Sequence, residues 1–272
     1  MPDPLLPGPL WFVGCGNMGS AMLDGWIAGG VDPAHVSVVR PSGESVGHSI
    51  RVTKDYPEDE VPAIVLLAMK PHQLDLVAPA LAPILDPGTI LVSILAGVES
   101  ASLRARFPAP RTIVRAMPNL PVRLGKGVIN LYSDSDDVTA RAIVTGLMAA
   151  IGHAEWYEDQ DAFQIAGILT GAGPAFVYRF IEGLAHAAAH LGLPPDQAAR
   201  LATAMVEGAS ALASASEESP QRLAERVASP GGTTEAGLRV LDQDEALLTL
   251  IAQTLEAART RSQQMAAEAR TA

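Results

Sequence analysis

The chain has 272 residues, 48% hydrophobic and only 4% aromatic, with a formal net charge of −11. That length holds two domains, packed with small aliphatic side chains, and the acidic balance excludes nucleic acid and anionic membrane surfaces as partners. The first ten residues carry four prolines and no basic n-region, no apolar run is long enough to span a membrane, and the one cysteine, Cys15, allows no internal disulfide, so a cytosolic protein is expected.

Leu10 to Val13 form an apolar run suited to a buried parallel strand, and Ala21, Leu23, Trp26 and Ile27 recur at helical spacing. Between them Gly14, Gly16 and Gly19 spell G-x-G-x-x-G, with Asn17 and Met18 opening the helix. In that strand-turn-helix context the pattern predicts dinucleotide binding. Gly14 allows the turn, Gly16 lets a pyrophosphate approach the backbone, and Gly19 lets helix and strand pack closely. The next strand, His35 to Val39, runs into Arg40-Pro41-Ser42 rather than into an acidic residue. A cation and a hydroxyl suit a ribose 2′-phosphate, which favours NADP, with NADPH preferred over NADH.

Further strand-like runs at 63–69, 89–95 and 112–117 alternate with helical or loop segments, and 127–132 and 154–157 add edge strands around a helix at 137–150. The expected fold class is therefore a doubly wound α/β Rossmann-type domain, residues 1–158. Its strand ends bring forward Ala68, Lys70 and Pro71, then Ala96, then Asn119, all on the rim where ligands bind in open sheets. The acidic stretch 55–60 reads as a solvated loop.

From 159 to 272 strand patterns vanish, and Ala-rich helices are expected at 161–192, 195–215, 220–228, 233–241 and 244–269, separated by Gly and Pro breakers. Such slender helices bury modest area alone, which predicts an all-helical dimerisation domain. Gly167, Gly171, Gly173 and Ala175 are placed for close contact. Ser229-Pro230-Gly231-Gly232-Thr233-Thr234 is a second anion-binding candidate, opening a helix with hydroxyls and unpaired N–H groups, or an ordinary Thr cap after a turn. His186 and His190 have metal-ligand spacing but no third ligand, so no metal is expected.

Together these stretches resemble the pyrroline-5-carboxylate reductase family over nearly the whole chain. The carrying motifs are Gly14 to Met18, Ala68 to Pro71, Ser93 to Gly97, Arg115 to Pro121, Gly171 to Ala175 and Ser229 to Thr234. The resemblance implies NAD(P)H-dependent reduction of 1-pyrroline-5-carboxylate to L-proline, the last step of proline synthesis. It implies that Ser229, Gly232 and Thr233 hold the substrate carboxylate and that Thr234 hydrogen-bonds the ring nitrogen. It also implies a homodimer, assembled in many members into decamers. Leu120, Lys126, Gln160 and Ala172 depart from the family's usual Thr, Glu, Glu and Ser, which bears on substrate range. A related hydroxyacid reductase would need a Lys on the long helix, and 161–192 contains none.

Overall fold

The computed structural model describes residues 5–271, with side chains as far as Gln264. The chain divides into two compact units, Met1–Gly171 with Arg261–Ala272, and Ala172–Thr260.

The first unit is built on one sheet. Its strands are β1 (Leu10–Val13), β2 (Val36–Val39), β3 (Arg51–Thr53), β4 (Ile64–Leu67), β5 (Ile90–Ser93), β6 (Thr112–Pro118), β7 (Gly127–Ser133) and β8 (Gly152–Tyr157). They lie in the order β3-β2-β1-β4-β5-β6-β7-β8. The first six are mutually parallel, β7 is antiparallel to β6, and β8 is parallel to β7. The order 3-2-1-4-5-6 is that of a dinucleotide-binding sheet, with its switch point between β1 and β4.

The two strands at the switch point, β1 and β4, are apolar at every position because both faces are covered. One face carries Leu10, Phe12, Leu66 and Val92 against α1 (Asn17–Ala28) and α4 (Val138–Ala149). There Trp26 packs edge-on to Phe12 and donates its indole N–H to the Leu147 carbonyl at 2.6 Å. The opposite face carries Trp11, Val13, Leu67 and Leu91 against α2 (Leu74–Leu81) and α3 (Ser100–Arg106).

Two expectations are corrected. The short edge strand β3 was not anticipated, and no helix joins β2 to it; turns span 40–50 instead. The acidic stretch 55–60 is not wholly solvated either. Glu60 Oε1 accepts from Trp11 Nε1 at 2.7 Å and from Ser37 Oγ at 3.1 Å, satisfying two polar groups beneath the sheet.

Helix α5 (Gln160–His190) starts just after β8, and the compact units part within it, between Gly171 and Ala172, and again between Thr260 and Arg261, rather than at the expected 158. The second unit continues through α6 (Pro195–Ala215), α7 (Pro220–Val227), α8 (Thr233–Asp242) and, as far as Thr260, α9 (Ala246–Thr271). Its own core is thin: Ala185, Ala198 and Ala202 are buried, with Ile181 and Leu184 packed beside them. Leu212, Val227, Val240, Leu248 and Leu250 are all at least 60% exposed. So much apolar surface marks an association face.

Candidate functional site

The strand ends bring the anticipated cofactor residues onto one rim of the first unit. Gly14 leaves β1 with φ +79, and its N–H donates to the Val39 carbonyl at 2.8 Å. A Cβ there would come within 2.8 Å of Met69 Cβ, so the turn and the end of β4 are in backbone contact that only glycine permits. At Gly19 a Cβ would meet Ala68 Cβ at 3.3 Å, which is the tight packing of α1 on the sheet. At Gly16 the space within 4 Å is open.

Gly16 is also the N-cap of α1, and no side chain caps the helix. The first-turn N–H groups of Asn17, Met18 and Gly19 therefore face that open space, and the helix dipole adds positive potential with no acidic residue in the first turn. A pyrophosphate fits this cradle in size and in charge.

Arg40 follows β2, and its guanidinium is near enough to pull the Cys15 thiol toward ionisation, although burial outweighs this and pushes the thiol up. Arg40 Nη2 is held by Glu44 Oε2 at 3.2 Å, and Ser42 Oγ accepts from the Glu44 N–H at 3.3 Å. Lys70 is exposed past β4, where its N–H donates to Gln73 Oε1 at 3.0 Å and Pro71 starts a single helical turn. Ala96 is exposed in the turn after β5.

Asn119 is buried with most of its amide committed. Oδ1 accepts from the Val128 N–H at 2.9 Å, and Nδ2 donates to the Thr170 carbonyl at 3.0 Å. One Nδ2 hydrogen remains for a ligand. Next to it Asn130 Nδ2 donates to Thr170 Oγ1 at 2.6 Å, and that hydroxyl donates to the Ala166 carbonyl at 2.9 Å. Gly167 packs tightly against Met117, whereas Gly171 and Gly173 meet nothing within 4 Å.

Arg115 carries a feature that sequence reasoning missed. It is 5% exposed on β6, its guanidinium lies 4.9 Å from the Phe163 ring centroid, and Nη1 has no hydrogen-bond partner among the described residues. Burial lowers its pKa, opposed by Glu99 and Tyr132. A strand arginine inside an apolar run is the signal that could have pointed to it.

Ser229, Gly232, Thr233 and Thr234 come together in the second unit. Gly231 sits at φ +72, the Gly232 N–H is bonded to the Ser229 carbonyl at 2.9 Å, and Gly232 is the N-cap of α8. The N–H groups of Thr233 and Thr234 have no partner among the described residues, so these, with three hydroxyls, are the donors the loop offers an anion. Glu235 accepts from the Gly231 N–H, which, with Arg239, holds its carboxyl below the usual range. Among the described residues no cluster of His, Cys, Asp or Glu could hold a metal, and no helix is long and apolar enough to cross a membrane.

A 3-2-1-4-5-6 sheet with an uncapped glycine turn at its switch point defines a dinucleotide-binding protein of the oxidoreductase class. Residues 9–97 match the family model described as NADP oxidoreductase coenzyme F420-dependent, and residues 160–265 match that described as pyrroline-5-carboxylate reductase dimerisation. The pyrroline-5-carboxylate reductase of Pseudomonas aeruginosa is 35% identical over 94% of this chain and 96% of its own. The chain belongs to the pyrroline-5-carboxylate reductase family. The Escherichia coli enzyme is 33% identical over 85% of this chain and 89% of its own. Among solved structures, the Coxiella burnetii reductase superposes with a TM-score of 0.87 at 31% identity, covering 94% of this chain and 98% of that one. The Plasmodium falciparum enzyme, with NADP bound, has a TM-score of 0.81 at 27% identity, covering 96% of this chain and 98% of that one.

Proposed function

We propose that the chain reduces 1-pyrroline-5-carboxylate to L-proline, with NADPH preferred over NADH as hydride donor. Family membership over nearly the full length carries this reading. The open, uncapped glycine turn supports it independently, because it suits a pyrophosphate.

In this reading Gly14, Gly16, Asn17, Met18 and Gly19 hold the pyrophosphate, and Arg40 and Ser42 the 2′-phosphate. Ala68, Lys70, Pro71, Ala96 and Asn119 line the path toward the nicotinamide. Ser229, Gly232 and Thr233 form the carboxylate loop, with Thr233 donating through its N–H. The Gly232 N–H already serves Ser229, so the contribution of Gly232 is the turn itself: a Cβ there would lie 2.9 Å from the Ser229 carbonyl oxygen. Thr234 hydrogen-bonds the ring nitrogen.

NADPH, when bound, supplies a hydride. A protonated imine would already be electrophilic at C5 and would end as the ring amine, so no strong acid is required of the protein. The residues need only orient the ring, bond its nitrogen and exclude water. A homodimer, extended to a decamer, and a cytosolic setting complete the proposal.

The test is loss of NADPH absorbance with the imine and formation of proline, run beside NADH and the six-membered imine. Tight NADPH binding with no turnover on either imine would overturn it, and would direct attention to Leu120 and Gln160, where the family's usual polar groups are replaced.

A further inference from the structure

The loop that opens α8 is held in shape by a side chain from its own first turn. Glu235 Oε2 accepts from the Gly231 N–H at 2.6 Å, and Oε1 accepts from Arg239 Nη2 at 3.0 Å. Glu235 stands at the third helical position, from which a capping-box carboxylate reaches back to the N–H of the N-cap residue. Here that donor is unavailable, because the Gly232 N–H is bonded to the Ser229 carbonyl. The carboxylate reaches one residue further, to Gly231, which adopts φ +72. Both glycine N–H groups are thus consumed inside the turn. The N–H groups of Thr233 and Thr234 and the hydroxyls of Ser229, Thr233 and Thr234 are left without a partner among the described residues.

We propose that Glu235 is a positioning residue for the substrate carboxylate, fixing the turn through Gly231 so that Thr233 and Thr234 present their donors in one direction. This rests on the reading of Ser229–Thr234 as the substrate loop. A bare carboxylate beside that loop would repel an anionic substrate, and Arg239, one turn along α8, offsets its charge. The pair therefore stiffens the loop without adding net negative charge. A positioning role also fits the order of binding energies. A loop already locked loses less conformational freedom when the anion arrives, and that saving appears as affinity.

The experiment compares the full-length native chain with E235A and E235Q. It reads kcat, KM for 1-pyrroline-5-carboxylate, KM for NADPH, inhibition by a saturated five-membered-ring carboxylate, and deuterium exchange of the 229–236 segment. Glutamine keeps an oxygen acceptor for the Gly231 N–H. E235A is expected to raise the imine KM and the inhibition constant about tenfold, the loss of one charge-assisted hydrogen bond, and to speed exchange in the segment. E235Q is expected to stay within about threefold, since the acceptor is retained. KM for NADPH should not move in either variant.

An E235A chain whose imine KM is unchanged or lowered overturns the proposal, the lowered case identifying Glu235 as a competitor of the substrate. Equal losses in E235A and E235Q also overturn it, because charge rather than the bond to Gly231 would then be responsible. Absence of turnover by the native chain removes the substrate-loop reading together with this role, whereas native turnover with an indifferent E235A removes the role alone.

Discussion

Asn119 Nδ2 donates to the Thr170 carbonyl at 3.0 Å, and that carbonyl is the one in α5 that Pro174 cannot serve. In an α-helix the residue four positions on supplies the N–H, and proline has none. The asparagine amide therefore completes a helix that a proline interrupts. Asn119→Ala should cost about 1–3 kcal/mol, the usual penalty for orphaning a buried polar group. Pro174→Ala returns an N–H to Thr170, so the cost of Asn119→Ala should fall in that background. A double-mutant cycle in denaturant reads the coupling, and strict additivity would remove the connection.

Arg40 is engaged by Glu44, whose carboxylate occupies the guanidinium that a 2′-phosphate would use. The pair is exposed on the Glu44 side, at 74%, so it is weak and easily displaced. Glu44→Gln should lower KM for NADPH about two- to threefold at low salt, with the gain fading as salt screens the charges. Arg40→Asp should raise KM for NADPH at least about tenfold and move preference toward NADH. A ratio of NADPH to NADH efficiency that ignores both substitutions would sever Arg40 from cofactor choice.

Two glycines of the same turn should fail in different ways. Gly14→Ala combines a left-handed backbone with backbone overlap at Met69, and should cost about 2–4 kcal/mol, seen as a lower Tm. Gly16→Ala meets open space, so stability should change by no more than about 1 kcal/mol. Its methyl would stand where the pyrophosphate approaches, so NADPH affinity should drop instead. Thermal melts with and without NADPH separate the two.

The Cys15 thiol is raised by burial, with the Ser20 hydroxyl and then Arg40 pulling the other way less strongly. At any pH its thiolate fraction is below that of a free cysteine. Alkylation by iodoacetamide near neutral pH should therefore be slower than for a small thiol, and should accelerate only above the ordinary thiol range. A raised folded-state pKa also means that this contribution to stability is present at lower pH and declines as pH climbs through the thiol's titration. Rapid labelling at neutral pH would contradict the assignment.

Thr234 is half-buried at the second position of α8. Thr234→Val keeps its shape and removes the hydroxyl, and should lower kcat about ten- to hundredfold with KM for NADPH unmoved. Unchanged turnover would release Thr234 from the ring nitrogen.

Local chemistry made much of this legible. The glycine turn was readable because strand, turn and helix are adjacent in sequence. The helices of the second half were readable because Pro194, Pro195, Pro220 and Gly232 punctuate an Ala- and Leu-rich pattern. β3 was not, since three residues, Arg51 to Thr53, on a sheet edge carry no apolar periodicity. Nor were the partners of Glu60, which lie 49 and 23 residues away. Pro174 inside a long helix does announce an orphan carbonyl. That Asn119 would fill it depends on a fold bringing together residues 51 positions apart.

One border between the compact units falls between Gly171 and Ala172, inside α5. Proteins assembled from exchangeable cassettes part at loops, where a residue more or less is absorbed. A helix absorbs nothing, since each added residue turns all that follows by about 100°. The faces of α5 on either side of Gly171 therefore keep step only while the residue count of that helix is kept.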